Sequence, residues 1–71
     1  MMYEVYEEKC VNDEAGVYIS YGVKCVTSEM TVADVTCNKD KLISFVNMLN
    51  EERVESIHLF DVIEDNINEL I

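Results

Sequence analysis

The sequence contains no proline, and its only glycines, Gly16 and Gly22, lie in the first third of the chain. Two isolated glycines cannot form the glycine-rich loops that hold phosphate groups. There is also no Walker sequence, no G-x-S-x-G elbow and no H-E-x-x-H motif. No stretch has the composition of a linker, a repeat or a low-complexity tract. These absences argue against the familiar enzyme classes and favour one small domain.

Basic side chains are scarce, with 5 Lys and Arg against 15 Asp and Glu, which gives a net charge of −10. Such a surface repels a phosphate backbone, so we expect no direct binding of nucleic acid. The acidic residues either solvate the surface or face a basic protein, and in the second case they could imitate nucleic acid.

No apolar run approaches the roughly 18 residues that a membrane-spanning helix needs, and no positively charged start leads into an apolar segment with a small-residue cleavage site. The three cysteines, Cys10, Cys25 and Cys37, are odd in number, and their spacing matches neither a disulfide framework nor a zinc site. We therefore expect reduced thiols in a cytoplasmic protein, with no membrane contact, no metal and no cofactor.

The fold class follows from a change of periodicity along the chain. The first 37 residues alternate apolar and polar side chains, and the remainder has helical spacing. This predicts an α+β domain over residues 1–71, in which a three-stranded antiparallel β-meander is followed by two α-helices packed on one face (βββαα). The predicted strands cover about 2–11, 17–27 and 31–37, and the helices about 39–50 and 57–70.

A specific register is predicted for the first hairpin, with the turn in the segment NDEAG. It places an aromatic side chain across from a strand glycine and opposite charges across from each other, and both arrangements are stabilising. The predicted pairs are Tyr3 with Cys25, Glu4 with Lys24, Val5 with Val23, Tyr6 with Gly22, and Val11 with Val17.

The second hairpin is predicted to turn through the segment SEM and to pair Val35 with Val23 and Asp34 with Lys24. Met30 is the weak point of this register, because the third position of such a turn usually adopts a left-handed conformation that suits glycine.

Both helices are predicted to be amphipathic and to begin at a capping residue, Asn38 for the first and Ser56 for the second. On a helical wheel, one face of each helix is apolar and should pack on the sheet. These faces comprise Leu42, Ile43, Phe45, Val46 and Leu49 in the first helix, and Leu59, Phe60, Ile63, Ile67, Leu70 and Ile71 in the second.

Two clusters could carry chemistry. His58, Asp61, Asp65 and Glu69 share one face of the second helix and could help to hold a metal, although a solvated helix face is the simpler interpretation. The predicted registers also place Glu7, Tyr21 and Cys37 in one row beneath the helices. That row is either a small pocket with a perturbed carboxyl group or the open end of the sheet, where Glu7 reaches water.

The outer face of the sheet is predicted to carry Tyr6, Tyr18, Val26 and Val32 among charged residues. Aromatic side chains are enriched at protein interfaces, so this surface is a candidate contact site. An ordinary exposed antiparallel face would have a similar composition.

The segments YISYGVKC (residues 18–25) and IHLFDVIED (residues 57–65), in that order, resemble a small uncharacterised family from Firmicutes, chiefly clostridial bacteria. That family is catalogued only as a domain of unknown function. The resemblance implies a cytoplasmic bacterial protein and carries no activity, ligand or catalytic residue.

Three functions remain open, and we identify no catalytic, cofactor or metal residues. The first is a non-enzymatic protein–protein interaction module, including a homodimer formed through the tyrosine-bearing face or an edge strand. The second is an acidic inhibitor or nucleic-acid-mimicking decoy of a basic protein. The third is a small enzyme or ligand binder that uses Glu7, Tyr21 and Cys37.

Overall fold

The computed structural model describes residues 2–14 and 16–71 and confirms the predicted fold class. Three antiparallel strands form one sheet in the order β1-β2-β3, and two helices follow. The elements are β1 (Tyr3–Asn12), β2 (Gly16–Cys25), β3 (Met30–Thr36), α1 (Lys39–Glu51), a short 3-10 helix (Ser56–His58) and α2 (Leu59–Leu70).

The β1–β2 ladder has the predicted register along its whole length. Tyr3 pairs with Cys25, Val5 with Val23 and Val11 with Val17, while Tyr6 lies across from Gly22 and Glu4 across from Lys24. The alternating pattern therefore determines which side chains face the helices. The turn predicted in NDEAG includes Ala15, which lies outside the described residues.

The predicted β2–β3 register is wrong. Val23 pairs with Val32 rather than Val35, and Lys24 pairs with Thr31 rather than Asp34. The turn spans residues 26–29, so Cys25 pairs with Met30, and Glu29 rather than Met30 adopts the left-handed conformation, at φ 56°. Because an uninterrupted alternation was assumed, the prediction also missed a bulge further along β3.

The bulge in β3 lies opposite Gly22, between the Val23–Val32 and Tyr21–Thr36 pairs. Asp34 occupies its left-handed position, at φ 55°. A side-chain carbon added to Gly22 would lie only 2.0 Å from the carbonyl oxygen of Val32. Glycine at this position therefore lets the bulged backbone approach β2 closely.

Helix α1 crosses the sheet from the end of β3 to the edge of β1. Asn38 caps it as predicted, because its Oδ1 accepts a hydrogen bond from the backbone N–H of Lys41 at 3.1 Å. The helix ends in a Schellman motif, in which Val54 N–H donates to the Leu49 carbonyl and Arg53 is left-handed at φ 53°. This turn directs the chain back toward the sheet.

Helix α2 begins later than predicted, because residues 56–58 form a 3-10 helix before it. Ser56 is the first residue of that 3-10 helix rather than a cap, and neither helix has a side-chain cap. Two of its predicted core residues are also exposed, Phe60 by 58% and Ile71 by 75%. The 3-10 turn breaks the helical phase assumed for Phe60, and Ile71 follows the last helical residue.

The hydrophobic core lies between the helices and one half of the sheet. It consists of Tyr3, Val23, Cys25, Leu42, Phe45, Val46, Leu49, Leu59, Ile63 and Leu70. At its far end the Thr36 hydroxyl donates a hydrogen bond to the Leu70 carbonyl, which ties β3 to the end of α2.

Candidate functional site

The β1–β2 hairpin extends beyond the helices. Strands β1 and β2 each contain 10 residues and β3 contains 7, and none of residues 16–20 pairs with β3. We call residues 7–14 and 16–19 the hairpin arm. The core ends near Tyr21 and Thr36. Among the described residues, no helix covers the arm on the side that faces the helices elsewhere in the sheet.

Apolar side chains are exposed on that side of the arm. Val11 is 77% exposed, Val17 59% and Ile19 39%, although the ladder places them on the same face as the buried Val23 and Cys25. The exposed charged residues Glu7 and Lys9 lie beside them. We call these five side chains the arm face.

The outer edge of β1 is blocked at one end and open along the arm. The side chain of Asn50 accepts hydrogen bonds from the N–H groups of Met2 and Tyr3, and donates to the Tyr3 carbonyl at 3.0 Å. Asn50 thus takes the place of a neighbouring strand at the start of β1. Across the described residues, no hydrogen bond reaches the outward N–H or C=O groups of Glu7, Lys9 or Val11 in the arm portion of β1.

A polar cluster covers the opposite side of the hairpin. The Ser20 hydroxyl is buried and donates a hydrogen bond to Asp34 Oδ1 at 2.5 Å, while Cys10 lies directly across from Tyr18 in the ladder. The negative charge of Asp34 is the main cause that raises the pKa of Tyr18 above its usual 10.0, and Cys10 adds to the shift. At neutral pH Tyr18 is therefore a protonated hydrogen-bonding group rather than a base.

An open groove of about 690 Å³ adjoins this cluster at the start of α1. Cys37 and Lys39 line it together with Asp34, and Ile71 contributes an apolar wall. Cys37 is exposed and its thiol is free. The groove carries charges of both signs, from Asp34, Asp40 and Lys39.

The structure does not bring together the predicted row of Glu7, Tyr21 and Cys37. Tyr21 pairs with Thr36 instead of Cys37, and Cys37 follows the end of β3. Glu7 is exposed. The row depended on the wrong β2–β3 register, and Glu7 lies at the open end of the sheet, as the alternative interpretation expected.

The predicted contact surface of Tyr6, Tyr18, Val26 and Val32 is divided. Tyr6 and Tyr18 do lie on the outer face and are half-buried. Val32 pairs with Val23 and packs against the core on the helix-covered face, and Val26 lies in the turn before β3. Both differences follow from the shifted register.

The polar face of α2 is solvated. His58, Asp61, Asp65 and Glu69 are all exposed. Within residues 2–14 and 16–71, no group of three or more His, Cys, Asp or Glu side chains is arranged to hold a metal ion.

The remaining thiol, Cys25, belongs to the core. Burial raises its pKa, but hydrogen bonding of the sulfur with Ser28 and Thr27 outweighs that effect and brings the pKa below 9.0. Because the side chain is wholly inaccessible, its sulfur offers no nucleophile to a substrate.

Sequence reasoning missed the arm face and the Asp34 bulge. The predicted strand lengths already contained the signal for the arm, because the first two strands were longer than the third and longer than two short helices could cover. The signal for the bulge was Gly22 in the middle of a strand, where a glycine often marks a bulge or a close backbone approach.

The fold and its surfaces define a small α+β domain with a protruding hairpin. In a comparison with known protein families, residues 1–69 match the family of unknown function DUF6514, and the chain belongs to that family. No curated protein and no solved structure matches it. Neither helix is both long and apolar enough to cross a bilayer, as judged on the described residues.

Proposed function

We propose that this chain is a non-enzymatic protein–protein interaction module that makes its contact through the hairpin arm, with apolar side chains of the arm face included in the contact. The observation that carries the proposal is the exposure of Val11, Val17 and Ile19 on a fully paired ladder. Contiguous apolar surface that extends beyond a core usually serves a contact. The proposed contact thus lies on the opposite side of the hairpin from the tyrosine-bearing surface that the sequence predicted.

The setting that we propose is the cytoplasm of a bacterium of the Firmicutes. Three unpaired thiols support a reducing compartment. The resemblance in residues 18–25 and 57–65 supports the bacterial source.

A comparison of purified variants tests the proposed surface. The arm variant carries Val11→Ser and Val17→Ser, and the matched control carries Ile57→Ser, because Ile57 is as exposed as Val11, at 77%, but lies on the 3-10 helix. Sedimentation velocity measures self-association, and cross-linking with mass spectrometry in extract of the source cells measures other partners.

The proposal expects an association that the arm variant loses and the control retains. An association that survives in the arm variant would place the contact elsewhere. If neither self-association nor a specific cross-link occurs at any concentration, the interaction module itself is contradicted.

One observation favours a second candidate, an acidic inhibitor or decoy of a basic protein. All seven carboxylates in residues 51–71 are exposed, and Arg53 is the only basic side chain among them. A complex held by this surface should weaken steeply as salt rises, because exposed charges are screened within about 10 Å at 0.1 M salt. A complex that moderate salt leaves unchanged would contradict the decoy.

A further inference from the structure

We propose that the partner of the arm is a second copy of this chain, joined through the open edge of β1 so that Glu7 of each copy lies opposite Lys9 of the other. This inference rests on the proposed interaction function and specifies its partner. The product is a two-fold symmetric dimer in which the two sheets form one continuous six-stranded sheet.

The backbone of β1 alternates between bonding to β2 and pointing outward. Met2 accepts a hydrogen bond from Val26 N–H on the β2 side, whereas Tyr3 turns its N–H and C=O away from β2, toward Asn50. The alternation of an antiparallel strand then directs the N–H and C=O groups of Val5, Glu7, Lys9 and Val11 outward. These groups form the row that a further strand requires.

Asn50 limits where that strand can bind. Its side chain already occupies the edge at Tyr3, so an added strand has room only from Val5 onward. The start of β1 is thus closed and the arm portion is open. An exposed edge of this length is normally covered or paired in stable proteins.

Charge selects one register among those that the backbone allows. In a two-fold antiparallel pair, outward residues face outward residues, and a pair centred on Glu7, on Glu8 or on Lys9 meets this condition within the open edge. Centring on Glu7 or on Lys9 places that residue opposite its own copy, which brings like charges together. Centring on Glu8 places Glu7 opposite Lys9 twice, once on each side of the symmetry axis.

The same register matches the apolar side chains. It places Val11 of one copy opposite Val5 of the other, and Val5 already packs against the core of its own subunit. The exposed Val11 would then extend an apolar surface instead of facing water. Although the chain has a net charge of −10, the paired stretch of β1 carries a positive residue, Lys9, opposite Glu7 of the second copy.

One feature of this register opposes association and makes the proposal specific. Glu8 lies on the outer face and would lie directly opposite Glu8 of the second copy, where like charges are destabilising. Removal of this charge should therefore tighten the dimer. A dimer formed by packing of the two arm faces would not respond in this way, because Glu8 lies on the other side of the sheet.

Sedimentation equilibrium of charge-swapped variants tests the pairing. Glu7→Lys and Lys9→Glu should each weaken the dimer roughly tenfold or more, since symmetry makes two attractive cross-strand pairs repulsive. The double variant restores both attractive pairs with the charges exchanged, and its dissociation constant should be near the wild-type value. Glu8→Gln should lower the dissociation constant.

Two variants on the helices control for net charge. Glu64→Lys changes the net charge as Glu7→Lys does, and Lys39→Glu changes it as Lys9→Glu does, and all four residues are exposed. If these controls weaken the dimer as much as the edge variants do, or if the double variant fails to recover, the Glu7–Lys9 pairing is wrong.

Amide hydrogen exchange gives an independent measurement on the wild-type chain. As protein concentration rises, exchange at Glu7 and Lys9 should slow, because their N–H groups enter the new ladder, while Glu8 N–H already bonds to β2. The chain could form a dimer that the Val11→Ser and Val17→Ser changes disrupt but that does not show this exchange pattern. That result would overturn the edge pairing and leave the proposed interaction module intact. A chain that stays monomeric and cross-links to another protein through the arm would likewise overturn the edge pairing and leave the interaction module intact.

Discussion

The two ends of the β1–β2 hairpin share one ladder and one alternating pattern, yet only one end has a core. At the first end Tyr3, Val23 and Cys25 are completely buried beneath the helices, whereas at the arm Val11 and Val17 are mostly exposed on the same face. Alternation therefore determines which way a side chain points, and the elements above it determine whether it is buried.

The edge of β1 repeats this contrast. Near Tyr3 the side chain of Asn50 satisfies the outward backbone groups, and along the arm these groups are open. The outward backbone groups at one end of the hairpin thus have hydrogen-bond partners within the chain, whereas those along the arm are available to a contact. The two ends should accordingly respond differently to substitution.

The largest contrast is expected between Leu49→Ala and Val17→Ala. Leu49 is wholly inaccessible in the core, so its truncation should cost about 2–5 kcal/mol, whereas a change at the exposed Val17 should stay within about 0.5 kcal/mol. Urea unfolding followed by circular dichroism, at concentrations where the chain is monomeric, measures both.

Since a core of this size rarely provides more than roughly 3–5 kcal/mol, Leu49→Ala should leave much of the population unfolded at room temperature. Equal losses for the two variants would mean that the arm contributes to stability as the core does, and the contrast between the two ends would fail.

The next contrast is between the two glycines. Gly22→Ala should destabilise by about 1–3 kcal/mol, because its new methyl group meets the Val32 carbonyl and must displace the backbone of the bulge. Gly16→Ala meets no atom within 4 Å but is strained by its φ of +77°, so it should cost about 1 kcal/mol. Thermal unfolding of both variants measures the difference.

A second measurement identifies the cause of the loss at Gly22. If the bulge moves, Asp34 should separate from Ser20, and the chemical shifts of residues around Ser20 should change in Gly22→Ala but not in Gly16→Ala. A Gly22→Ala variant as stable as wild type would contradict the close approach of β3 at this position.

Much of the fold was predictable because its signals are local. The alternation through residues 17–25, the opposite charges of Glu4 and Lys24, and the capping position of Asn38 each act within one hairpin or one helix turn. These features determined the fold class and the first register without tertiary information.

The candidate site was less predictable because it depends on where distant elements end. The exposure of Val11 results from helices that stop short of the arm. The displacement of Cys37 from Tyr21 results from the shifted turn before β3, which the extra residues of the bulge offset only in part. The turn at residues 26–29 shifted the pairing of Val23 from Val35 to Val32, and a shift by an odd number of residues moves side chains such as Val32 to the opposite face. The bulge then changed the pairings beyond it, so the predicted pocket does not form.

The smallest contrast concerns the hydroxyl group of Tyr3, which lies at the closed end of the hairpin and donates a hydrogen bond to the Val54 carbonyl at 2.6 Å. Tyr3→Phe should cost about 1 kcal/mol at neutral pH. Burial raises the pKa of Tyr3 above 10.0, and the nearby Cys25 and Glu55 add to the shift. The folded state therefore holds this proton more tightly than the unfolded state, so the stabilisation persists below pH 10.0 and is lost as pH rises through the folded-state pKa.

The free-energy difference between wild type and Tyr3→Phe should therefore be constant through neutral pH and shrink above pH 10.0, as measured by urea unfolding at a series of pH values. Tyr6→Phe is the control, because Tyr6 lies on the outer face across from Gly22. A Tyr3→Phe difference that does not change with pH would show that the phenol at the closed end is not shielded from solvent. In that case the closed end would resemble the arm, and the contrast between the two ends would rest on the aliphatic side chains alone.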